Sequence, residues 1–175
     1  MSLLRYLVLS ASIAYVFSAG QCPYYGDARV HSIQVNLPNC TWYRASACCV
    51  RTEVVSAFDQ MPPLQGASTG CRNRVNYMMC HFCSPQQNIW YTAGRVQMCS
   101  SFCSDTYNEC EDALFNGTKV GTLYADGKSF CEAQNFVSVS STSRCFDFDE
   151  EAFDGAGRAT SSLVLLAIVA IVKFI

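Results

Sequence analysis

Twelve cysteines, all between residues 22 and 145, constrain this 175-residue chain more than any other feature. Such a density is typical of an exported protein in which disulfide bonds compensate for a small apolar core. The even count leaves no thiol over, so the sequence predicts six disulfide bonds, and the spacing alone does not select the pairing. We expect one small extracellular domain with no metal and no cofactor.

The first twenty residues have the pattern of a signal peptide. Arg5 supplies the positive start, residues 6–17 are almost entirely apolar, and Ser18 and Gly20 are the small residues that precede cleavage. The apolar run is too short for a transmembrane helix, which needs about 20 residues. We therefore predict that residues 1–20 are removed and that Gln21 becomes the new N-terminus.

The other end of the chain has the order of a glycosylphosphatidylinositol (GPI) anchor signal. Small residues at 154–157 precede a short polar spacer, and residues 163–175 are apolar apart from Lys173. This order predicts that the tail is replaced by lipid, with Gly155 as the attachment residue and residues 156–175 removed. A single-pass membrane anchor is the alternative. Either anchor places the domain on the extracellular face of the plasma membrane.

The charge balance argues against a nucleic-acid partner. Without Arg5, Arg158 and Lys173, nine of the twelve basic residues remain against fourteen acidic ones. A surface that binds phosphates needs the opposite balance. Five acidic residues cluster just before the predicted anchor, which indicates a solvated stalk over residues 147–155: Asp147, Asp149, Glu150, Glu151 and Asp154.

Two Asn-x-Thr sequons predict N-linked glycans at Asn39 and Asn116. Asn116 precedes Gly117 in a predicted loop, where a glycan meets no obstacle. Asn39 adjoins Cys40, so formation of a disulfide there competes with glycosylation.

Apolar spacing predicts a mainly helical domain with short extended pieces and long loops. The strongest helical pattern covers residues 95–114 and places Cys99, Cys103 and Cys110 on one buried stripe. Weaker helical patterns cover residues 42–58 and 71–83, whereas residues 119–148 are expected to form loops with short extended pieces.

The sequence shows no recognisable combination of catalytic residues. His31 and His81 are the only histidines, and neither has a nucleophile or carboxylate partner that the sequence makes visible. Cys80 and Cys83 have the spacing of a redox or zinc motif, but an oxidising compartment favours structural disulfides. We expect a binding protein and no enzyme.

The order of the cysteine blocks resembles that of folate receptors and riboflavin-binding proteins. Residues 40–49, Cys-Thr-Trp-Tyr-Arg-Ala-Ser-Ala-Cys-Cys, are similar to that family's Cys-x-Pro-Trp-x4-Cys-Cys segment. The Cys-x8-Cys-x2-Cys-Ser-Pro block at residues 71–85 is similar to the next block, with one residue fewer between its last two cysteines. The Cys-x3-Cys-x6-Cys block at residues 99–110 reproduces the helix that follows. Residues 143–146, Ser-Arg-Cys-Phe, resemble the family's closing Gly-Arg-Cys. The resemblance implies a small disulfide-rich, folate-receptor-like domain over residues 21–146.

The resemblance also implies a wiring. Carried over position by position, the family's pairing gives Cys22–Cys48, Cys40–Cys80, Cys49–Cys83, Cys71–Cys110, Cys99–Cys145 and Cys103–Cys131. Folate receptors have two further disulfides, and this chain lacks both cysteines of each.

A folate- or vitamin-like heterocycle is the ligand that the resemblance implies. Folate receptors carry a tryptophan-rich insertion that is missing here, since residues 111–130 contain no tryptophan. The remaining candidates are aromatic residues for stacking, basic residues for an anionic tail and a hydrogen-bond acceptor: Trp42, Trp90, Tyr91 and Tyr107; Arg72 and Arg74; and Asp59. The alternatives are aromatic packing against disulfides and ordinary surface charge.

A second hypothesis makes the domain a recognition protein. Residues 126–132, Asp-Gly-Lys-Ser-Phe-Cys-Glu, and the Cys145-Phe146 pair resemble the cysteine-rich domain of hedgehog-interacting protein. That resemblance implies an extracellular protein partner on the same scaffold. An open aromatic pocket would favour the small ligand, and a filled pocket with an exposed apolar patch would favour a protein partner.

Overall fold

The computed structural model describes residues 20–26 and 28–153. The predicted attachment residue Gly155, the anchor signal and the signal peptide apart from Gly20 lie outside the described residues. Within the described ranges, no helix is both long and apolar enough to cross a membrane.

Six α-helices and several single turns of 3-10 helix carry the fold of residues 20–26 and 28–153. The α-helices are α1 Arg51–Asp59, α2 Thr69–Met79, α3 Gln87–Trp90, α4 Ser100–Cys110, α5 Val120–Leu123 and α6 Gly127–Ala133. The 3-10 turns are Pro23–Tyr25, Thr41–Tyr43, Cys80–Cys83 and Glu150–Ala152.

In the part of the chain that the structure describes, five short strands form two small sheets. They are β1 Tyr91–Thr92, β2 Arg95–Cys99, β3 Leu114–Phe115, β4 Thr118–Lys119 and β5 Val137–Val139. In the larger sheet β2 is central: it pairs antiparallel with β1 and parallel with β5, with Met98 opposite Ser138. β3 and β4 form a hairpin whose turn, Asn116-Gly117, has positive φ at both residues, as a type I′ turn requires.

Six disulfide bonds hold these elements together, and they are the same six pairs that the resemblance implies. Two of them join helices: Cys71–Cys110 links α2 to α4, and Cys103 on α4 is bonded to Cys131 on α6. Helices α4 and α6 also touch directly. Gly127 at the start of α6 lies so close to the backbone of Cys103 and Ser104 that a β-carbon at this position would collide with it.

The helix predicted over residues 95–114 is wrong in its first five residues and its last four. Residues 95–99 form β2, in which Val96 and Met98 point into the core while Arg95 is exposed, and the helix proper ends at Cys110. These residues form a strand and not a helix because they pair with β5, about forty residues further along the chain. The spacing of nearby apolar residues does not reveal such a distant partner.

Three other expectations about secondary structure also need correction. The pattern over residues 42–58 yields an α-helix only from Arg51, because the adjacent Cys48 and Cys49 are fixed by disulfides to two separate segments. The pattern over residues 71–83 begins at Thr69, two residues early, and changes to a 3-10 turn at Cys80.

Residues 119–148, expected to be loop, contain the short helices α5 and α6 as well as β5. The start of α6 has a clear local cause. The side chain of Asp126 accepts a hydrogen bond from the backbone N–H of Ser129 at 2.7 Å, and the Ser129 hydroxyl oxygen accepts from the Asp126 N–H.

Candidate functional site

An apolar cavity of about 380 Å³ lies between the helices and is the candidate ligand site. It is bounded by the end of α1 and the loop after it, by α2, by β3 and by α5 and α6. The residues that line it are Ala57, Gln60, Met61, Pro62, Leu64, Val75, Met78, Met79, Phe115, Val120, Tyr124, Phe130 and Gln134.

The chemistry of the lining is apolar and soft. Three methionines and three aromatic rings supply much of the surface, and none of the lining residues is charged. Thioether sulfurs pack well against aromatic rings and adapt to irregular shapes. The polar groups of the lining are the amides of Gln60 and Gln134 and the hydroxyl of Tyr124. The arrangement can enclose an apolar ring and offer it a few hydrogen bonds.

The walls of the cavity follow from helix geometry. Val75, Met78 and Met79 occupy positions i, i+3 and i+4 of α2, so they project from one face of that helix. Phe130 of α6 also lines the cavity, and the next residue, Cys131, is bonded to Cys103 of α4. Since disulfides join α2 to α4 and α4 to α6, the α2 and α6 walls are covalently tied to each other through α4.

A smaller cavity of about 200 Å³ shares Met79 and Gln134 with the first. Tyr24, Tyr91 and Arg95 contribute to its lining. His81 also lines it, and burial of the imidazole lowers the pKa of His81 to about 4. Its Nδ1 lies 3.0 Å from the carbonyl oxygen of Met78, so Nδ1 carries the proton of the neutral ring.

The two candidate tryptophans lie in an aromatic cluster outside the apolar cavity. Trp42 stacks on Tyr77, with ring centroids 5.4 Å apart. Trp90 is only 3% exposed and meets Phe146 edge to face, with centroids 5.2 Å apart. Because Phe146 also stacks on Tyr77 at 5.2 Å, both tryptophans belong to one packed group of rings.

The candidate tyrosines lie closer to the apolar cavity without lining it. The hydroxyl of Tyr107 donates to the backbone carbonyl of Tyr124 at 3.1 Å. Tyr107 therefore helps to hold Tyr124, which does line the cavity. Tyr91 lines the smaller cavity, where its ring centroid is 5.5 Å from that of Tyr24.

The charged candidates do not line the apolar cavity either. Arg72 is exposed, and its guanidinium donates to the carbonyl of Ala67 at 2.6 Å. Arg74 lies over the ring of Phe148, 4.5 Å from its centroid. Asp59 is exposed at the end of α1. The structure therefore does not bring the seven candidates together in one site.

Sequence reasoning missed the residues that line the cavity, because Met78 and Val120 look in sequence like any buried core residue. The spacing of Val75, Met78 and Met79 was visible as a helical face, but it does not distinguish a face that packs from one that borders a cavity.

Residues 147–153, expected to begin a solvated stalk, lie against the domain. Phe148 stacks on Phe102 with 5.6 Å between ring centroids, and Phe153 lies 5.0 Å from Trp42. The acidic side chains between them are exposed, as the stalk prediction requires: Asp147, Asp149, Glu150 and Glu151.

Comparison with known proteins matches residues 21–162 to the model of the folate receptor family. Folate-binding protein 1 of Arabidopsis thaliana is 26% identical over 123 residues, which are 58% of this chain and 40% of that protein. The riboflavin-binding protein of Dromaius novaehollandiae is 28% identical over 119 residues, 55% of this chain and 50% of that protein. The chain thus spans half or less of the length of these curated relatives. Because the family model covers most of the sequence, the chain belongs to the folate receptor family.

Proposed function

We propose that this protein is an extracellular, vitamin-binding-type receptor that holds a small heterocyclic ligand in the apolar cavity. The observation that carries the proposal is the cavity itself: a concave apolar site with two amides and a hydroxyl on its lining, between helices joined by disulfides. Small-molecule sites in proteins usually have this composition. The names of the two relatives, one folate-binding and one riboflavin-binding, support the same class of ligand. The proposal assigns no enzymatic activity.

Fluorescence titration of the secreted protein with riboflavin and with folic acid tests the proposal. Saturable quenching with a dissociation constant from nanomolar to low micromolar, on the order of −12 to −8 kcal/mol, is the expected result for at least one of them. Absence of quenching up to high micromolar concentrations of both would contradict it.

A cavity-filling variant assigns the signal to the site. Val75→Trp places a larger side chain into the lining, so binding should be lost. Val55→Trp, at an exposed position on α1 that does not line the cavity, is the matched control and should bind as the wild type does.

We further propose that a GPI anchor holds the domain on the extracellular face of the plasma membrane, with lipid attached at Gly155. The support is the order of small residues, spacer and apolar tail in residues 154–175. Phosphatidylinositol-specific phospholipase C should release the protein from intact cells. Protein that stays on the cells while a known GPI-anchored marker is released would contradict a cleavable lipid anchor.

Recognition of another extracellular protein is the second candidate function. The rings of Trp42 and Trp90 are packed against other rings, and the domain has an exposed apolar patch, which is the combination that favours a protein partner. Val30, Ile33 and Val35 are 62%, 74% and 73% exposed, which is unusual for three apolar side chains in six residues. Backbone hydrogen bonds tie Ser32 to Ala47 and Gln34 to Arg44, and Ile33 and Val35 alternate with these paired residues. Proximity labelling on expressing cells tests this: a partner that disappears with Ile33→Glu and Val35→Glu would support it, and an unchanged labelling pattern would not.

A further inference from the structure

We infer that the ligand of the apolar cavity is an uncharged two- or three-ring molecule with few hydrogen-bonding groups, and that anionic ligands of the folate type are selected against. This inference rests on the proposed function, because it names the ligand chemistry of the same site. It starts from one property of the lining: none of its thirteen residues carries a charge.

An anion that enters the cavity finds no compensating cation. Both arginines near the start of α2 are engaged elsewhere, Arg72 with the carbonyl of Ala67 and Arg74 with the ring of Phe148. Burial of a carboxylate or sulfonate without a partner loses its hydration and gains nothing in return. Arg95 lines the smaller cavity, which shares Met79 and Gln134 with the first, and is exposed there.

The supply of hydrogen-bonding groups in the lining is also small. The amide nitrogen of Gln60 already donates to Ser56 at 3.0 Å. Within the described part of the chain, the side-chain amide of Gln134 makes no hydrogen bond, so it is available to a ligand. A ring with a densely polar edge would bury donors and acceptors without partners, which opposes its binding.

The shape and softness of the lining favour a flat ring. Met61, Met78 and Met79 offer polarisable sulfurs, and Phe115 and Phe130 offer ring surfaces to the same space. Contacts of this kind stabilise aromatic ligands without any need for charge or precise hydrogen-bond geometry. A volume of about 380 Å³ is within the usual range for sites of small ligands.

Two dyes with the same ring system test the inference directly. N-phenyl-1-naphthylamine is uncharged, and 1-anilinonaphthalene-8-sulfonate is the same molecule with one negative charge added. We expect the full-length secreted protein to bind the uncharged dye at least about tenfold more tightly, a difference of about 1.4 kcal/mol. Phenanthridine, a tricycle with a single ring nitrogen that is uncharged at neutral pH, should displace the bound dye at lower concentration than flavin mononucleotide or folic acid.

A variant that adds a charge makes the test specific for the lining. Met61 is half-buried and lines the cavity, so Met61→Lys places a cation at the site. A cation there attracts the sulfonate, so the preference for the uncharged dye should fall to about equality or reverse. Val55→Lys adds the same charge at an exposed position of α1 and should leave the preference unchanged.

The outcomes separate the inference from the proposed function. If the sulfonated dye or folic acid binds wild type as tightly as the uncharged dye, and Val75→Trp abolishes that binding, the cavity is a ligand site but the inference is wrong. In that case Arg95→Ala shows whether the anion reaches the smaller cavity. If no dye, flavin or folate binds, both the inference and the proposed function fail.

Discussion

The indole of Trp42 lies almost flat against the ring of Tyr77, with 5.4 Å between centroids and 15° between the ring planes. Phe146 stacks on Tyr77 as well, with 5.2 Å between centroids and 24° between planes. Trp42, a candidate for stacking on a flat ligand, stacks here on another side chain of the protein. Neither Trp42 nor Trp90 lines the methionine-lined cavity.

Trp42→Ala should therefore lower stability and leave ligand binding intact. Removing a large, partly buried ring from a packed cluster costs about 3 kcal/mol. The measurement is the guanidinium chloride unfolding midpoint with the disulfides intact. Trp42→Phe keeps a ring in place and should lose less. An unchanged midpoint together with lost riboflavin or dye binding would instead place Trp42 in the ligand site.

His81 should make the protein less stable as the solution becomes acidic. Its pKa is about 4 in the folded protein because the imidazole is buried, against 6.5 in the unfolded chain. Between these values the unfolded state takes up a proton that the folded state refuses, so stability falls as the pH drops from about 6.5 to 4. The full effect is about 3 kcal/mol.

The pH effect is measured as the difference between wild type and His81→Gln in unfolding free energy at pH 7 and pH 4. Wild type should lose more stability on acidification than the variant, which has no imidazole to protonate. Equal losses in the two proteins would show that other groups, such as the exposed carboxylates, cause the acid sensitivity.

Limited reduction should open the Cys99–Cys145 disulfide before the other five. Cys145 is only half-buried, whereas the other eleven cysteines are at most 2% exposed. Because thiol exchange requires access of the reductant to a sulfur, exposure decides the order here. Brief treatment with dithiothreitol, alkylation and peptide mass spectrometry should find the first labels on Cys99 and Cys145. Early labels on Cys71 and Cys110, a fully buried pair, would contradict this order.

Asn116 should carry a glycan at higher occupancy than Asn39. Asn116 is exposed at the tip of the β3–β4 hairpin, in a two-residue turn where its side chain faces solvent. Asn39 is also exposed, but it adjoins Cys40, which is fully buried in a disulfide. Asn116→Gln should remove most of the mass that peptide N-glycosidase F removes. A larger loss from Asn39→Gln would reverse the order.

The cysteine order was the most informative part of the sequence for the fold. Cysteine blocks at fixed spacings resemble a known family, and the family model covers residues 21–162. Individual helices were less predictable, because their ends depend on distant partners. Arg95–Cys99 is a strand paired on one side with the neighbouring Tyr91–Thr92 and on the other with the distant Val137–Val139, and α1 starts at Arg51, just after the disulfides at Cys48 and Cys49.

The candidate site was harder to predict than the fold, for a physical reason. Polar and aromatic residues attract attention in a sequence because they can bind ligands, and here Trp90 and Arg74 are used in packing. The cavity is lined by Met78, Val75 and Val120, whose apolar character is that of any core residue. Only the arrangement of the helices leaves space between them.

The position of Phe153 has a mechanical consequence. Its ring is held against Trp42, so the chain leaves the domain from a fixed point on its surface. A tether that starts from a fixed point on the surface restricts the rotation of the domain more than one that starts from a flexible segment. If a lipid anchor follows within a few residues, the domain would sample fewer orientations relative to the membrane than one held on a long free tether.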